Sequence, residues 1–230
     1  MDSKEALLQT LGKLGINKFT KEDLDRIEQI ESENEGKVKA DEGRASQEVI
    51  NKQLSAFPAR FRDSTFDNYI LSDNEQSRAK QVGLIKQLKS GNSVVMYGNN
   101  GTGKTHLAFA SLRHQILLGK FCKYILAPEL YDEVKNSFNT NSTQRVISEY
   151  SSYDYLVVDE VDKSFGSATE FISLYRIINR RYENLLPTVL ITNAGKEVLV
   201  DVIGNSSFER VTEFPGGKLF MDWESHRRKR

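Results

Sequence analysis

Cysteine, histidine and proline are scarce in this sequence, and long apolar runs are missing. The 230 residues include one cysteine, Cys122, so no disulfide can form within the chain, and the sequence fits a reducing compartment. Three scattered histidines and one cysteine give no metal-ligand cluster. No apolar run approaches the roughly 20 residues that span a bilayer, and the opening "MDSKEALLQT" lacks the apolar core of a signal peptide. We therefore expect a cytoplasmic protein that makes no contact with a membrane.

The sequence also lacks an excess of charge of either sign. Lysine and arginine total 32, as do aspartate and glutamate, so the net charge gives no argument for binding to nucleic acid or to a membrane surface. The charge is unevenly placed, because residues 1–50 lean acidic and the chain ends in the basic run "HRRKR". We interpret that run first as a solvated terminus.

Residues 1–55 differ in composition from the remainder of the chain. Two stretches carry apolar residues at helical spacing: Leu7, Leu8, Leu11 and Leu14 in the first, and Leu24, Ile27 and Ile30 in the second. A polar, charge-rich stretch follows them. Two short amphipathic helices bury little apolar surface by themselves, so they must dock on the main domain or on a partner. We therefore predict a small helical region and linker over residues 1–55 and one main domain over residues 56–230.

From residue 93 onward, apolar strand candidates alternate with helical stretches. The strand candidates are 93–98, 122–128, 155–161, 187–193 and 218–223, and the predicted helices are 103–118, 128–138 and 170–182. Runs such as "YLVVD" and "TVLIT" are apolar on both faces, as in strands that helices cover from both sides. This pattern predicts an α/β fold with three layers and a mainly parallel central sheet.

The stretch "GNNGTGKT" joins the first strand candidate to the first long helix. It fits the pattern G-x-x-x-x-G-K-[ST]. Glycines allow backbone N–H groups to converge on phosphate oxygens, and the N-terminus of the helix adds its positive end. Lys104 would reach the β- and γ-phosphates, and Thr105 would ligate Mg²⁺. We predict that a nucleotide binds to this loop through Gly98, Asn99, Asn100, Gly101, Thr102, Gly103, Lys104, Thr105 and His106.

Two later strand ends supply polar residues suited to hydrolysis. The stretch "YLVVDEVD" delivers Asp159 and Glu160 at the carboxyl end of a strand, where ligands bind in parallel sheets. Asp159 would hold the Mg²⁺, and Glu160 would orient and deprotonate the attacking water. The stretch "VLITNA" ends its strand at Thr192 and Asn193, and Asn193 would contact that water or the γ-phosphate. Together with Lys104, these residues predict an ATPase of the additional-strand class.

About three quarters of the chain, from residue 61 onward, resembles the DnaC-type replicative helicase loaders. The resemblance is carried by "STFDNY" and the following "EQSRAKQVGLIKQL", by "GNNGTGKTHLAFA", "LVVDEVD" and "TVLITN", and by the terminal "LFMDWESHR". These loaders are AAA+ ATPases close to the IstB transposition helpers and the DnaI loaders. The resemblance implies an ATPase that delivers a DnaB-type hexameric helicase onto single-stranded DNA. It implies ATP and Mg²⁺ as cofactors, with slow hydrolysis that acts as a switch.

The resemblance also implies how such a protein assembles. Loaders of this type have a truncated lid, and only a short tail remains here after Asn193. They associate side by side and insert an arginine into the neighbouring ATP site, a role for which "SSFERVTEF" offers Arg210. The family has two arginines four residues apart in this region, whereas this sequence keeps one, so the role of Arg210 stays open. Arg227 matches the family's terminal arginine and would contact ATP, or it belongs to the basic tail.

Two further partners follow from the resemblance. Residues 1–55 would bind the helicase, a hypothesis that rests here on position and amphipathic spacing alone. Single-stranded DNA would contact the loop after the acidic strand and one later helix, through cations for phosphates and an aromatic ring for base stacking. The candidates are Lys163, Ser164, Phe165, Arg176, Arg180 and Arg181. An exposed helix face without DNA is an equally good interpretation.

Two other functions compete with the loader. An IstB-type helper of a transposase would bind duplex DNA and a transposase in place of a helicase. A protein that opposes the helicase, with ATP in a structural part only, is disfavoured by the intact Lys104, Asp159 and Glu160. Binding to a helicase separates the first alternative from the loader, and hydrolysis separates the second.

Overall fold

The computed structural model describes residues 46–138, 142–163, 167–213 and 217–225. The chain divides into two compact units, Met1–Asn51 and Lys52–Arg230. The two helices predicted near the start of the chain lie outside the described residues. Of the first unit, only residues 46–51 are described. The roles assigned to residues 1–55 therefore stay predictions.

Five strands form one parallel sheet in the second unit. In chain order they are β1 (Val94–Gly98), β2 (Cys122–Leu126), β3 (Tyr155–Asp159), β4 (Thr188–Ile191) and β5 (Lys218–Met221). Their order across the sheet is β2-β3-β4-β1-β5, and all four neighbouring pairs are parallel. The five predicted strands are confirmed. Because β4 lies between β1 and β3, the predicted additional strand is also confirmed.

A short 3-10 helix at Ala59–Phe61 precedes the helices α1 to α7. They are α1 (Glu75–Lys89), α2 (Lys104–Leu117), α3 (Ala127–Ser137), α4 (Thr143–Ser152), α5 (Ala168–Glu183), α6 (Lys196–Ile203) and α7 (Asn205–Thr212). The helices predicted after β1, β2 and β3 correspond to α2, α3 and α5. Neither periodicity nor spacing had predicted α4, α6 and α7, which have at most 10 residues each and offer few turns of pattern.

Helices cover both faces of the sheet, which gives the predicted three layers. Alternate strand residues such as Val95, Val158 and Leu190 pack in one core cluster with side chains from α3 to α7. On the other face, α1 packs on α2, and α2 packs on β2 and β3. Every residue of β3 and β4 is buried, as expected for central strands, whereas the edge strands β2 and β5 are partly exposed.

Local sequence signals determine where the helices near the sheet edge begin. α5 starts with a capping box, in which Ser167 Oγ accepts from the Glu170 N–H and the Glu170 carboxylate accepts from the Ser167 N–H. α3 carries Pro128 in its first turn, where no N–H is needed. After α7 the chain returns to the sheet as β5. Within the described ranges, no helix has the length and apolar character needed to cross a membrane.

Candidate nucleotide-binding site

A cleft of about 680 Å³ lies at the carboxyl ends of β1, β3 and β4. Its lining comprises Arg60, Phe61, Asn100, Gly101, Gly103, Lys104, Thr105, His106, Asp159, Glu160 and Asn193. The carboxyl ends of parallel strands meet at one edge of a sheet, so three motifs that are far apart in the sequence come together here. The structure thus joins the phosphate loop, the acidic pair and the polar strand end in a single cavity.

The phosphate loop has a backbone that glycine favours. Gly98, Gly101 and Gly103 have φ angles of 116°, 81° and 93°, in the region that other residues rarely adopt. α2 begins directly after the loop, so its unpaired N–H groups face the cleft. Lys104 Nζ donates to the carbonyl oxygens of Gly98 at 2.8 Å and Asn99 at 2.7 Å. The ammonium group is therefore held at the mouth of the loop, beside the space that a phosphate chain would fill.

Two predicted loop residues contribute differently from the others. The Thr102 side chain is fully buried, and its Oγ1 donates to the carbonyl of Asn99 at 3.0 Å. His106 lines the cleft, and its Nε2 lies 2.9 Å from the carbonyl oxygen of Thr65. Thr102 therefore stabilises the loop from behind, whereas His106 ties α2 to the segment before α1.

Hard oxygen ligands converge where α2 meets the end of β3. Thr105 Oγ1 donates to Asp159 Oδ2 at 3.0 Å, and the hydroxyl of Tyr124 on β2 donates to the same oxygen at 3.0 Å. Asp159 is buried except for a small exposed fraction. A hydroxyl and a carboxylate in contact at a phosphate-binding loop fit Mg²⁺, which prefers oxygen ligands and keeps few protein ligands beside its phosphates and waters. These residues could hold the ion.

Glu160 has an unusual backbone conformation for a residue with a side chain. Its φ angle is 56°, and its N–H donates to Asp159 Oδ1 at 2.7 Å. A positive φ at a non-glycine residue costs free energy and is concentrated at functional sites. In this conformation Glu160 lines the cleft beside Asp159, which is the position that a base for an attacking water requires.

The end of β4 is tied to the loop after β3 through Asp162. Asp162 Oδ1 accepts from Thr192 Oγ1 at 2.7 Å and from the Asn193 N–H at 3.2 Å. Burial alone would raise the pKa of Asp162, but the hydrogen bonds from Thr192, Asn193 and Lys163 outweigh it and lower that pKa. The resulting carboxylate fixes the backbone from which Asn193 reaches the cleft.

Arg210 lies on α7, outside the residues that line the cleft. Its guanidinium carbon is 5.6 Å from the ring centre of Tyr175 and 5.7 Å from that of Tyr182, both on α5. The two rings stabilise the cation. Buried Nη1 has no hydrogen-bond partner in the described part of the chain. Arg210 therefore does not contribute to the cleft of its own chain, and contact with a neighbouring molecule stays a prediction.

The candidate DNA contacts differ in exposure. Lys163 and Arg176 are exposed, and Arg180 is half-buried, with Nη1 donating to Ser148 Oγ at 3.2 Å. Ser164, Phe165 and the predicted ATP contact Arg227 lie outside the described residues.

The predicted DNA contact by Arg181 is wrong, because this side chain is 0% exposed. Its guanidinium donates to Thr188 Oγ1 and to the carbonyl oxygens of Tyr150, Tyr153 and Pro187, at 2.6–3.1 Å. Burial lowers the pKa of this guanidinium to about 10, and the attraction of Asp154 opposes that shift. Arg181 is thus charged at neutral pH, but its donors join α4, α5 and β4 inside the protein. A DNA contact by this side chain is excluded by its burial.

Several residues of the site were missed by the sequence reasoning. Phe61 lines the cleft and stacks on Phe109 of α2 at 4.9 Å between ring centres, with Arg60 beside it. Tyr124 contacts Asp159 from β2, and Asp162 positions the end of β4. Only Asp162 had a signal, as the last residue of "VVDEVD". The others act through packing across elements, which a linear pattern does not show.

Comparison with known proteins identifies the family. Residues 24–208 match the model of the IstB-like ATP binding protein family. The replicative helicase loader DnaC of Escherichia coli K12 is 27% identical over 174 residues, which cover 72% of this chain and 70% of that protein. DnaC of Buchnera aphidicola subsp. Baizongia pistaciae is 25% identical over 209 residues, covering 82% and 84%.

A solved structure supports the same fold. The crystal structure of the DnaC helicase loader superposes with a TM-score of 0.61 at 19% identity, covering 73% of this chain and 100% of that one. The shared architecture is the AAA+ fold. In this chain the phosphate loop follows β1 and the acidic pair lies at the end of β3. The chain therefore belongs to the IstB-like ATP-binding family and is an AAA+ ATPase whose curated relatives include replication proteins.

Proposed function

We propose that the protein is an ATP-dependent loader that delivers a DnaB-type hexameric replicative helicase onto single-stranded DNA. The observation that carries the proposal is the similarity to helicase loaders over most of both chains. The cleft adds chemical support, because the residues proposed for binding and hydrolysing ATP line it together. A protein that only occupied a partner's surface would not need Glu160 beside Asp159.

Five residues would share the work in the ATP site. Lys104 would exchange its bonds to loop carbonyls for the β- and γ-phosphates, and the loop N–H groups would bind the remaining oxygens. Thr105 and Asp159 would hold Mg²⁺, which when bound neutralises phosphate charge. Glu160 would accept the proton of the attacking water, and Asn193 would orient that water or contact the γ-phosphate. Hydrolysis would be slow, since the nucleotide state serves as a switch.

Self-association would place Arg210 in the ATP site of a neighbouring copy. Support comes from its location on α7, outside its own cleft, and from the tyrosine pair that holds its guanidinium. A long, permanently charged side chain can contact a γ-phosphate across an interface. Arg210→Lys should slow hydrolysis in concentrated protein while leaving ATP binding intact. If Arg210→Lys and the unaltered protein hydrolyse ATP at the same rate, Arg210 does not have this role.

Single-stranded DNA would bind near the loop after β3 and along α5. Lys163, Arg176 and Arg180 supply cations on that side of the described structure. If they contact phosphates, affinity for an oligonucleotide falls steeply with salt, and Arg176→Ala lowers the slope of that dependence. A flat salt response would contradict phosphate contacts.

The first part of the chain would bind the helicase. Deletion of residues 1–50 removes nearly all of the first compact unit and leaves the unit that carries the ATP site. We expect the shortened protein to bind ATP with unchanged affinity and to lose the helicase. Retained helicase binding would place the contact on the ATPase unit.

A transposase helper is the second candidate, because the family model that matches is the IstB-like one. One experiment separates the two functions. The protein is mixed with the replicative helicase of its own host and ATP, and the mass of the complex is measured by light scattering. A complex heavier than the helicase hexamer supports the loader. No complex, together with preference for duplex over single-stranded DNA, supports the transposase helper.

A further inference from the structure

The carbonyl oxygen of Thr102, in the phosphate loop, accepts two hydrogen bonds from distant parts of the chain. Tyr69 Oη donates to it at 2.9 Å, and Trp223 Nε1 donates at 3.0 Å. Tyr69 precedes α1, and Trp223 follows β5. The exposed fractions of Tyr69, Trp223 and Thr102 are 7%, 6% and 0%, so water competes little for these bonds.

The orientation of this carbonyl determines where the next N–H points. In a trans peptide the C=O of one residue and the N–H of the next point in opposite directions. The Thr102 carbonyl is turned toward Tyr69 and Trp223, so the N–H of Gly103 is directed away from them. Gly103 itself lines the cleft. The two buried donors therefore keep the Gly103 N–H on the phosphate side of the loop. They also keep the Thr102 carbonyl oxygen away from that side.

Packing around the glycines supports the same conformation. Gly103 has a φ of 93°, and a Cβ at this position would lie 2.5 Å from Cε2 of Tyr69. The Tyr69 ring thus occupies the space that the missing side chain leaves. Behind Gly98, the Asn99 N–H donates to the carbonyl of Met221 at 3.0 Å, two residues before Trp223. The loop is held from behind by segments that lie outside the nucleotide motifs.

We propose that Tyr69 and Trp223 are positioning residues of the ATP site. They hold the Thr102–Gly103 peptide in the orientation that binds phosphate, and neither touches the nucleotide. Loss of either donor leaves a buried carbonyl with half its bonds and allows the peptide to rotate. The inference concerns nucleotide binding alone, so it stands or falls independently of the proposed helicase and DNA partners.

Equilibrium binding of N-methylanthraniloyl-ADP with Mg²⁺ tests the proposal. Tyr69→Phe keeps the ring that packs on Gly103 and removes only the hydroxyl; Trp223→Phe removes the indole N–H. Each should raise the Kd about tenfold, as expected for one buried hydrogen bond. Tyr131→Phe is the matched control, because Tyr131 is 5% exposed and its hydroxyl makes no hydrogen bond within the described residues. It should bind within twofold of the unaltered protein.

Two further readouts separate positioning from a general structural defect. Competition by adenosine, which has no phosphate, should be unchanged in Tyr69→Phe, since only the phosphate cradle is altered. Trp223 is the sole tryptophan, so its emission reports on the loop, and Tyr69→Phe should need about tenfold more ADP for half of the emission change. Equal binding by Tyr69→Phe and Tyr131→Phe would overturn the proposal, as would equal weakening of ADP and adenosine. If Trp223→Phe does not fold, the nucleotide binding of Tyr69→Phe alone tests the proposal.

Discussion

Replacement of Arg181 by methionine tests whether the buried guanidinium holds the sheet and helices together. The side chain donates to one hydroxyl and three backbone carbonyls, contributed by the end of α4, the residue after it, and the start of β4. Methionine keeps much of the length and the apolar stem but supplies no donor. The Tyr150 and Tyr153 carbonyls would stay buried without this donor, and the Pro187 carbonyl would keep its bond from the Leu156 N–H at 3.3 Å.

The expected loss follows from these bonds. Each buried acceptor that is left without a donor costs about 1–3 kcal/mol. Part of the total cost is offset, because the variant no longer buries a positive charge. Four hydrogen bonds from the charged guanidinium are lost together, so we expect a net loss of about 3–5 kcal/mol. For a unit of this size, each kcal/mol lowers Tm by about 2–4 °C, so we expect Tm to fall by roughly 6–20 °C.

Thermal and urea unfolding followed by circular dichroism measure the effect. The matched control is Arg180→Met, which changes the adjacent, half-buried arginine with a bond to Ser148. The control should unfold within about 1 kcal/mol of the unaltered protein. A loss below about 1 kcal/mol for Arg181→Met would refute the structural role.

Three other substitutions probe the cleft. Glu160→Gln should bind ATP and slow hydrolysis about a hundredfold or more, because the amide cannot accept the proton; unchanged turnover would remove Glu160 from the reaction. Tyr124→Phe deletes a donor to Asp159 and should raise the Mg²⁺ concentration for half-maximal hydrolysis roughly fivefold, about 1 kcal/mol; an unshifted Mg²⁺ titration would contradict this. Gly101→Ala should weaken nucleotide binding at least about tenfold, because the φ angle of Gly101 is 81° and the new Cβ would overlap the Ser225 side chain. Gly83→Ala in α1, where the Cβ meets open space, should bind normally and unfold at a slightly higher temperature.

Local patterns were sufficient for much of the fold. Apolar runs identified the five predicted strands, most clearly β3 and β4, because strands covered on both faces need apolar residues at every position. The helical stretches between the strands predicted α2, α3 and α5, and the family resemblance supplied α1, but α4, α6 and α7 were missed because too few turns are present for a pattern. Neither periodicity nor composition states the order of strands; that order follows from which faces pack together.

The sequence by itself identified the residues proposed for the chemistry: a glycine loop with Lys104, the acidic pair Asp159 and Glu160, and a strand that ends at Asn193. These are local requirements of phosphate binding and hydrolysis, so residue type and spacing reveal them. Only the tertiary structure decided which arginine on α5 is available to a ligand, since Arg180 and Arg181 are neighbours in sequence and differ in burial. It alone also decided that Tyr69 and Trp223 meet at the loop, because a hydrogen bond between residues 121 positions apart depends on packing of the whole domain.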